Sequence, residues 1–381
     1  MMLLFCKPNL PVSAGIALLD NAITRAIAKY MSTDFLLLVV QVMVIAIALV
    51  VSAIYISLFY KKRKYFYTRR IQKYLEPLIS EILMEESGKL PGIERRIFRI
   101  LNNSVAGQYA IDELVRCKKN FSGSVSASIV ALYIQLGLKK LSQQKLANKK
   151  WHIKARGIQE LYMMDQKDVL KTIYYNTNSR NEFVRMEAQT GVINLTGFAG
   201  LRFLDVISYP LTEWQQLKLL EQLKLYPERE GLSENIPKWL RSKNETVVIF
   251  ALKLADEYQQ FGVRDYVVGC LEHTNHSVRR QAIKTLLRLE DEETPAILLA
   301  YFNSEPFINQ AFILDALRTL ATGRETDFLI GLLDHPNDTI KLKAAVILAE
   351  CFDEGLGILE KRGMEQPEPH QRIYSHVKTV K

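Results

Sequence analysis

His273 and His276 stand three residues apart, a spacing that can place two imidazoles together for a metal. They fall in a turn ahead of a helical stretch, and two histidines without a third ligand make a weak metal site. His335, in "LLDHPNDT", reads as an ordinary turn residue beside Pro336. No GxGxxG follows a strand, and no Walker loop, HExxH or CxxC is present. No catalytic, cofactor-binding or metal-ligating residue is therefore assigned. The side chains left with a candidate role are Arg185, Arg279 and Lys341, each near the start of a helical stretch. They could contact a ligand or brace one helical unit against the next, and bracing is the expected role. Cys6, Cys117, Cys270 and Cys351 have no paired spacing and read as free thiols.

The elements that would position these residues recur. The string Asn-x-x-(Val/Ile) appears at Asn181, Asn244, Asn275 and Asn337, at separations close to multiples of 31 residues. Small residues keep the same step at Gly157, Ala188, Ala251, Ala282, Ala311 and Ala344. One position is skipped near Trp214, where "PLTEWQQLKLLEQL" keeps the helical pattern without the small residue. A fixed period near 31 denotes a repeat architecture, and with no strand-like alternation each unit reads as a helical hairpin. The Asn would cap the second helix, the Val or Ile would open its buried stripe, and the Ala or Gly would admit a neighbouring helix. Leu161, Val192, Leu286 and Leu348 complete that face.

"NHSVRRQAIKTLLRLED" and "NEFVRMEAQTGVINL" resemble the second helix of HEAT repeats, with a turn Asn, Val-Arg, Ala and Leu in order. "IKARGIQELYMM", "NETVVIFALKLADEY", "EPFINQAFILDALRTL" and "NDTIKLKAAVILAE" are partial copies. Val184-Arg185 and Val278-Arg279 keep the full pair; Lys154 and Lys341 substitute, and Val248 and Ile308 depart from it. The resemblance implies an all-α fold, an α-solenoid of about seven to eight helical hairpins over residues 121–360.

A second feature lies near the start. From Phe35 to Tyr60 no residue is charged, and at ~1.5 Å per residue such a run exceeds the ~30 Å hydrocarbon core of a bilayer. It reads as a transmembrane helix, 35–60. Lys61, Lys62, Arg63, Lys64, Arg69, Arg70 and Lys73 follow it, whereas only Arg25 and Lys29 lie close before it. That asymmetry places residues 1–34 outside and the remainder in the cytoplasm of a single-pass plasma (inner) membrane protein. The basic residues would meet anionic lipid headgroups at the interface. Ile16, Leu19, Ile23, Ala26, Ile27 and Tyr30 form a stripe suited to a surface helix, with Met31 an equal candidate for the true start. Beyond the span, Ile71, Tyr74, Leu75, Leu78, Ile79, Ile82 and Leu83 continue as an amphipathic stripe that Pro77 interrupts or restarts.

The chain of 381 residues carries a net charge of +9, of which residues 61–75 supply seven positive charges. Residues 61–120 are expected as basic juxtamembrane and linker helices, and 361–381 as a flexible tail. A near-neutral remainder argues against nucleic acid as a partner. The layout resembles single-pass bacterial membrane proteins with a cytoplasmic HEAT-repeat domain, some of which accompany membrane glycosyltransferases. The expected function is a membrane-tethered scaffold or adaptor for a membrane-associated protein, without cofactor and without catalysis. HEAT-fold enzymes of the DNA glycosylase and bilin lyase types are the alternative.

Overall fold

In the computed structural model, Thr24 and residues 33–84, 91–229, 231–320 and 323–380 are described, all helix and connecting turns without a strand. The stripe expected over 16–30 and Cys6 lie outside them, Thr24 apart. The chain divides into two compact units, one comprising residues up to Arg116 with 122–129, the other 117–121 with 130–381. The boundary expected at 120 is thus interleaved: 122–129 belong to the first unit.

In the first unit the long helix α1, Thr33–Met84, runs unbroken for 52 residues. Its apolar stretch, with a mean hydropathy of 3.0, has no buried residue, and it is long and apolar enough to cross a membrane. The helix does not stop at Tyr60 or at Pro77. Pro77 sits on an exposed face, where water can take the Lys73 carbonyl that the ring leaves without its N–H partner. Ile71, Leu75, Leu78, Ile79 and Ile82 are buried, as the stripe predicts, while Leu83 is exposed. The short helix α2, Arg95–Leu101, packs on α1 and buries Ile97, Ile100 and Leu101. Helices α3, Ser104–Asn120, and α4, Gly123–Gln135, follow.

The second unit is a succession of helix pairs. The second members are α6 Trp151–Met163, α8 Glu182–Thr196, α9 Glu213–Leu223, α11 Glu245–Glu257, α13 His276–Arg288, α15 Phe307–Leu320 and α17 Asp338–Cys351. They start 31 or 32 residues apart. The first members are α5 Leu138–Leu146, α7 Leu170–Tyr175, α10 Leu232–Trp239, α12 Arg264–Gly269, α14 Thr294–Phe302 and α16 Thr326–Leu332. Before α9 the first member is a 3-10 segment, Gly197–Asp205. Second members pack in series, α6 on α8, α8 on α9, α11 on α13, α13 on α15 and α15 on α17.

The marker residues act as their types predict. Asn181 accepts from Val184 N at 3.2 Å, Asn244 from Thr246 N at 3.2 Å, Asn275 from Ser277 N at 2.7 Å and Asn337 from Thr339 N at 2.9 Å. Each supplies an acceptor to an amide with no partner inside its helix. Ala188, Ala251, Ala282 and Ala344 are fully buried. A Cβ on Gly157 would lie 2.5 Å from the Leu146 backbone nitrogen, so α5 and α6 can approach this closely only with glycine there. The skipped unit has its helix too: Thr212 replaces the Asn cap, accepting from Gln215 N at 3.3 Å, and buried Leu219 stands where others have Ala.

Two expectations fail in α15 and beyond. Ala311, expected to admit a neighbouring helix, is only half-buried, and Ile308, which the sequence register sets at the position that arginine holds in α8 and α13, is 62% exposed. The helix follows Pro306, which stands in the Asn position, and its inward face is Asn309, Ile313, Leu314 and Leu317, the equivalents of Val278, Ala282, Ile283 and Leu286 in α13. The tail expected at 361–381 is instead helical: α18, Gly355–Glu365, packs on α17, and α19, Pro367–Val380, packs on both and buries His370 and Val377.

Blocks of three pairs also repeat. Helices α6 and α11, α7 and α12, and α8 and α13 each start 94 residues apart. The turns after α6 and α11 match in detail, with left-handed Asp165 (φ 52°) and Gln259 (φ 48°) and the same hydrogen bonds, Gln166 N to Leu161 O and Gln260 N to Ala255 O.

Candidate interaction surface

Arg185 and Arg279 occupy the same place in helices 94 residues apart and do the same work. Arg185 Nη1 donates to the carbonyls of Ser179 at 2.8 Å and Arg180 at 3.4 Å, and its guanidinium lies 4.5 Å over the Tyr209 ring. Arg279 Nη1 donates to His273 O at 2.8 Å and Thr274 O at 3.1 Å, while Nε donates to Glu305 Oε1 at 2.5 Å. The Glu305 side chain is fully buried and also accepts from Asn309 Nδ2 at 2.6 Å. Each arginine thus pins the turn ahead of its own helix and reaches into the following unit. Lys341 does neither: its ammonium pairs with Asp338 at 3.0 Å, one turn back on α17.

The histidines have local work. His273 Nδ1 accepts from Asn275 N at 3.0 Å, and His335 Nδ1 accepts from Asn337 N at 3.1 Å, so the two shape equivalent turns. Among the described residues no three His, Cys, Asp or Glu converge on one point. Burial pushes the Cys270 thiol up to about 11, which makes it a poor nucleophile at neutral pH.

Neighbouring second members are stitched by ion pairs that single-sequence reading missed. Lys224 meets Glu257 at 3.0 Å, Arg288 approaches Asp256 at 3.8 Å, Lys218 approaches Glu187 at 3.6 Å, and Arg318 donates to both oxygens of Glu350. Lys253 Nζ donates to Gln216 Oε1 at 2.8 Å, and burial lowers its pKa. The signal was available only in the aligned register, where the two partners of each ion pair fall at nearly equivalent positions of successive second helices.

Two clefts flank the 3-10 segment. One, of about 710 Å³, is lined by Ile207, Pro210, Lys238, Trp239 and Asn244 among others; the second, of about 630 Å³, by Leu170, Tyr174, Val192 and Arg202. Asp205 borders both, but its carboxylate is engaged, accepting from Trp239 Nε1 at 2.8 Å and meeting Lys238 Nζ at 2.7 Å. On α9, in the same unit, Trp214 is 67% and Leu217 50% exposed. Three residues apart on a helix, they share one face and form an apolar patch in water. Of the aromatics elsewhere on the helix pairs, Phe302 is buried, Tyr174 and Phe312 are half-buried, and Tyr175 and Phe307 are exposed. Lys61, Lys62, Arg63, Lys64, Arg69 and Arg70 are all exposed on α1, with Arg69 Nε donating to Tyr65 Oη at 2.9 Å.

No family model matches the chain, and no curated protein matches it. Among solved structures it is similar to an engineered protein at 15% identity, covering 80% of this chain and 87% of that one with a TM-score of 0.36. It is also similar to human deoxyhypusine hydroxylase in complex with glycerol at 15% identity, covering 66% and 98% with a TM-score of 0.27. A second engineered protein, at 14% identity, covers 71% and 93% with a TM-score of 0.23. These scores are too low for fold or function to be carried across.

Proposed function

We propose that this chain is a single-pass membrane protein whose HEAT-like α-solenoid acts in the cytoplasm as a non-catalytic scaffold for a membrane-associated protein partner. The observation that carries the reading is Trp214 and Leu217 standing exposed on α9 in a chain whose α1 also bears an apolar stretch with no buried residue. Exposed Trp on a rigid helix is the kind of anchor that dominates protein interfaces. The serial packing of second members supports the solenoid, whose repeats each contact only their neighbours and offer a long surface. The excess of Lys and Arg after α1's apolar run supports the orientation. Confinement to a membrane would raise the effective concentration of a second membrane-bound component.

The test is photo-crosslinking in native membranes from a probe placed at Leu217, followed by detergent extraction. A single membrane protein should be recovered, and Trp214→Ala should abolish it. Recovery of none, or tight salt-sensitive binding of duplex nucleic acid instead, would overturn the scaffold reading. Protease protection in sealed vesicles tests orientation: residues beyond 61 should be shielded in right-side-out vesicles.

A further inference from the structure

The near-neutral balance beyond residue 75 conceals a segregated one. Residues 139–156 hold seven Lys or Arg and no acid, whereas from Glu160 to the end 26 Lys and Arg face 32 Asp and Glu. Within the basic stretch some cations are committed: Lys139 pairs with Asp168 at 2.8 Å, and Lys145 with Glu160 at 2.7 Å. Lys140, Lys149 and Lys150 are exposed and Lys154 is half-buried, none with an ion pair among the described residues. Beside them Trp151 is 46% exposed and stacks on Phe183, itself 54% exposed, with ring centroids 4.9 Å apart and planes 23° from parallel.

Like-charged lysines crowd an exposed aromatic pair here, an arrangement that gains nothing from water alone. Trp sits favourably at the headgroup level of a bilayer, and lysines next to it are attracted to anionic lipid. We infer that the surface formed by Lys149, Lys150, Trp151, Lys154 and Phe183 is a second membrane contact, docking the helix-pair unit onto anionic lipid headgroups. This contact is separate from the basic run at 61–73 on α1. It rests on the membrane reading of α1, because only a chain held at a bilayer meets headgroups at high local concentration. The patch is compact and lies outside both clefts, which fits a flat charged surface better than an elongated polynucleotide.

The experiment uses the full chain in vesicles of phosphatidylcholine, alone or mixed with phosphatidylglycerol, containing brominated lipid that quenches nearby tryptophan. Trp151, Trp214 and Trp239 are the chain's three tryptophans, and none lies in α1. Quenching should appear with the anionic vesicles, fade with salt, and vanish in Trp151→Phe. In K149E/K150E/K154E the docked-to-undocked ratio should fall on the order of a hundredfold, about fivefold per lysine removed. Circular dichroism should be unchanged in both variants, and the milder K149Q/K150Q pair gives the same readout if the triple variant unfolds. Equal quenching by neutral vesicles, or quenching that survives charge reversal, overturns the inference. So does a Trp151 emission change with duplex nucleic acid but none with vesicles. A carbonate wash is read separately: release of the chain defeats the α1 reading, whereas retention without quenching defeats this inference alone.

Discussion

Arg279 and Glu305 show what a single residue is asked to do in this molecule. The carboxylate is fully enclosed, and its compensating cation comes from the preceding unit. Arg279→Ala should therefore destabilise by about 3–5 kcal/mol, because it strands a buried charge. Replacing both partners with apolar residues of similar size should restore most of that loss; thermal unfolding of the solubilised protein reads both, and a single-variant loss below about 1 kcal/mol would mean that the pair is solvated. Gly157→Ala should cost about 1–3 kcal/mol in the same measurement, since the new methyl meets the α5 backbone at 2.5 Å. At this scale the sequence was legible where one residue has one local job. The Asn caps and, Ala311 apart, the small residues could be placed from spacing alone. Glu305, Asn309 and the ion pairs joining successive helices could not, because their meaning depends on a partner 26 to 33 residues away whose register no local pattern specifies.

Elements carry a different kind of information. The helices with strong periodicity and a capping Asn were found at their true starts, whereas in α15, where Pro306 stands in the Asn position, the expected small-residue marker fell on Ala311 and the buried equivalent is Ile313. Residues 361–381 were expected as a flexible tail, yet α19 is held on α17 and α18 by a few buried side chains. His370 is one of them. Its pKa is held below the usual 6.5, first by burial and then by the Arg362 guanidinium, with Lys341 adding to this and Asp334 opposing it. Asp334 itself stays ionised through that range, its carboxyl lowered chiefly by its bond to Arg362. Below 6.5 the unfolded segment takes up a proton that the folded one refuses, so stability falls as pH drops through 6.5 and levels off below the folded value. Protection factors in α18 and α19, with the intrinsic pH dependence of amide exchange divided out, should fall between pH 7 and pH 5, and His370→Asn should flatten that dependence. Equal protection factors at both pH values in the native chain would place the imidazole in solvent.

At the scale of the whole molecule, the all-helical class and the apolar α1 were both legible, since each is a property of long stretches and needs no partner to be recognised. The interleaving of 122–129 with the first unit was not, because it depends on which helices meet in space. Nor was the recurrence of three pairs after 94 residues, which is a likeness of turns and 3-10 segments more than of letters. That recurrence has a practical outcome. Since the bends after Met164 and Tyr258 share one backbone path, joining Met164 directly to Gln259 leaves every remaining bend with a geometry already in use. The protein should behave as modular stock: a version shortened by this cut should still express as a helical protein, with cooperative melting and about a quarter of its length gone.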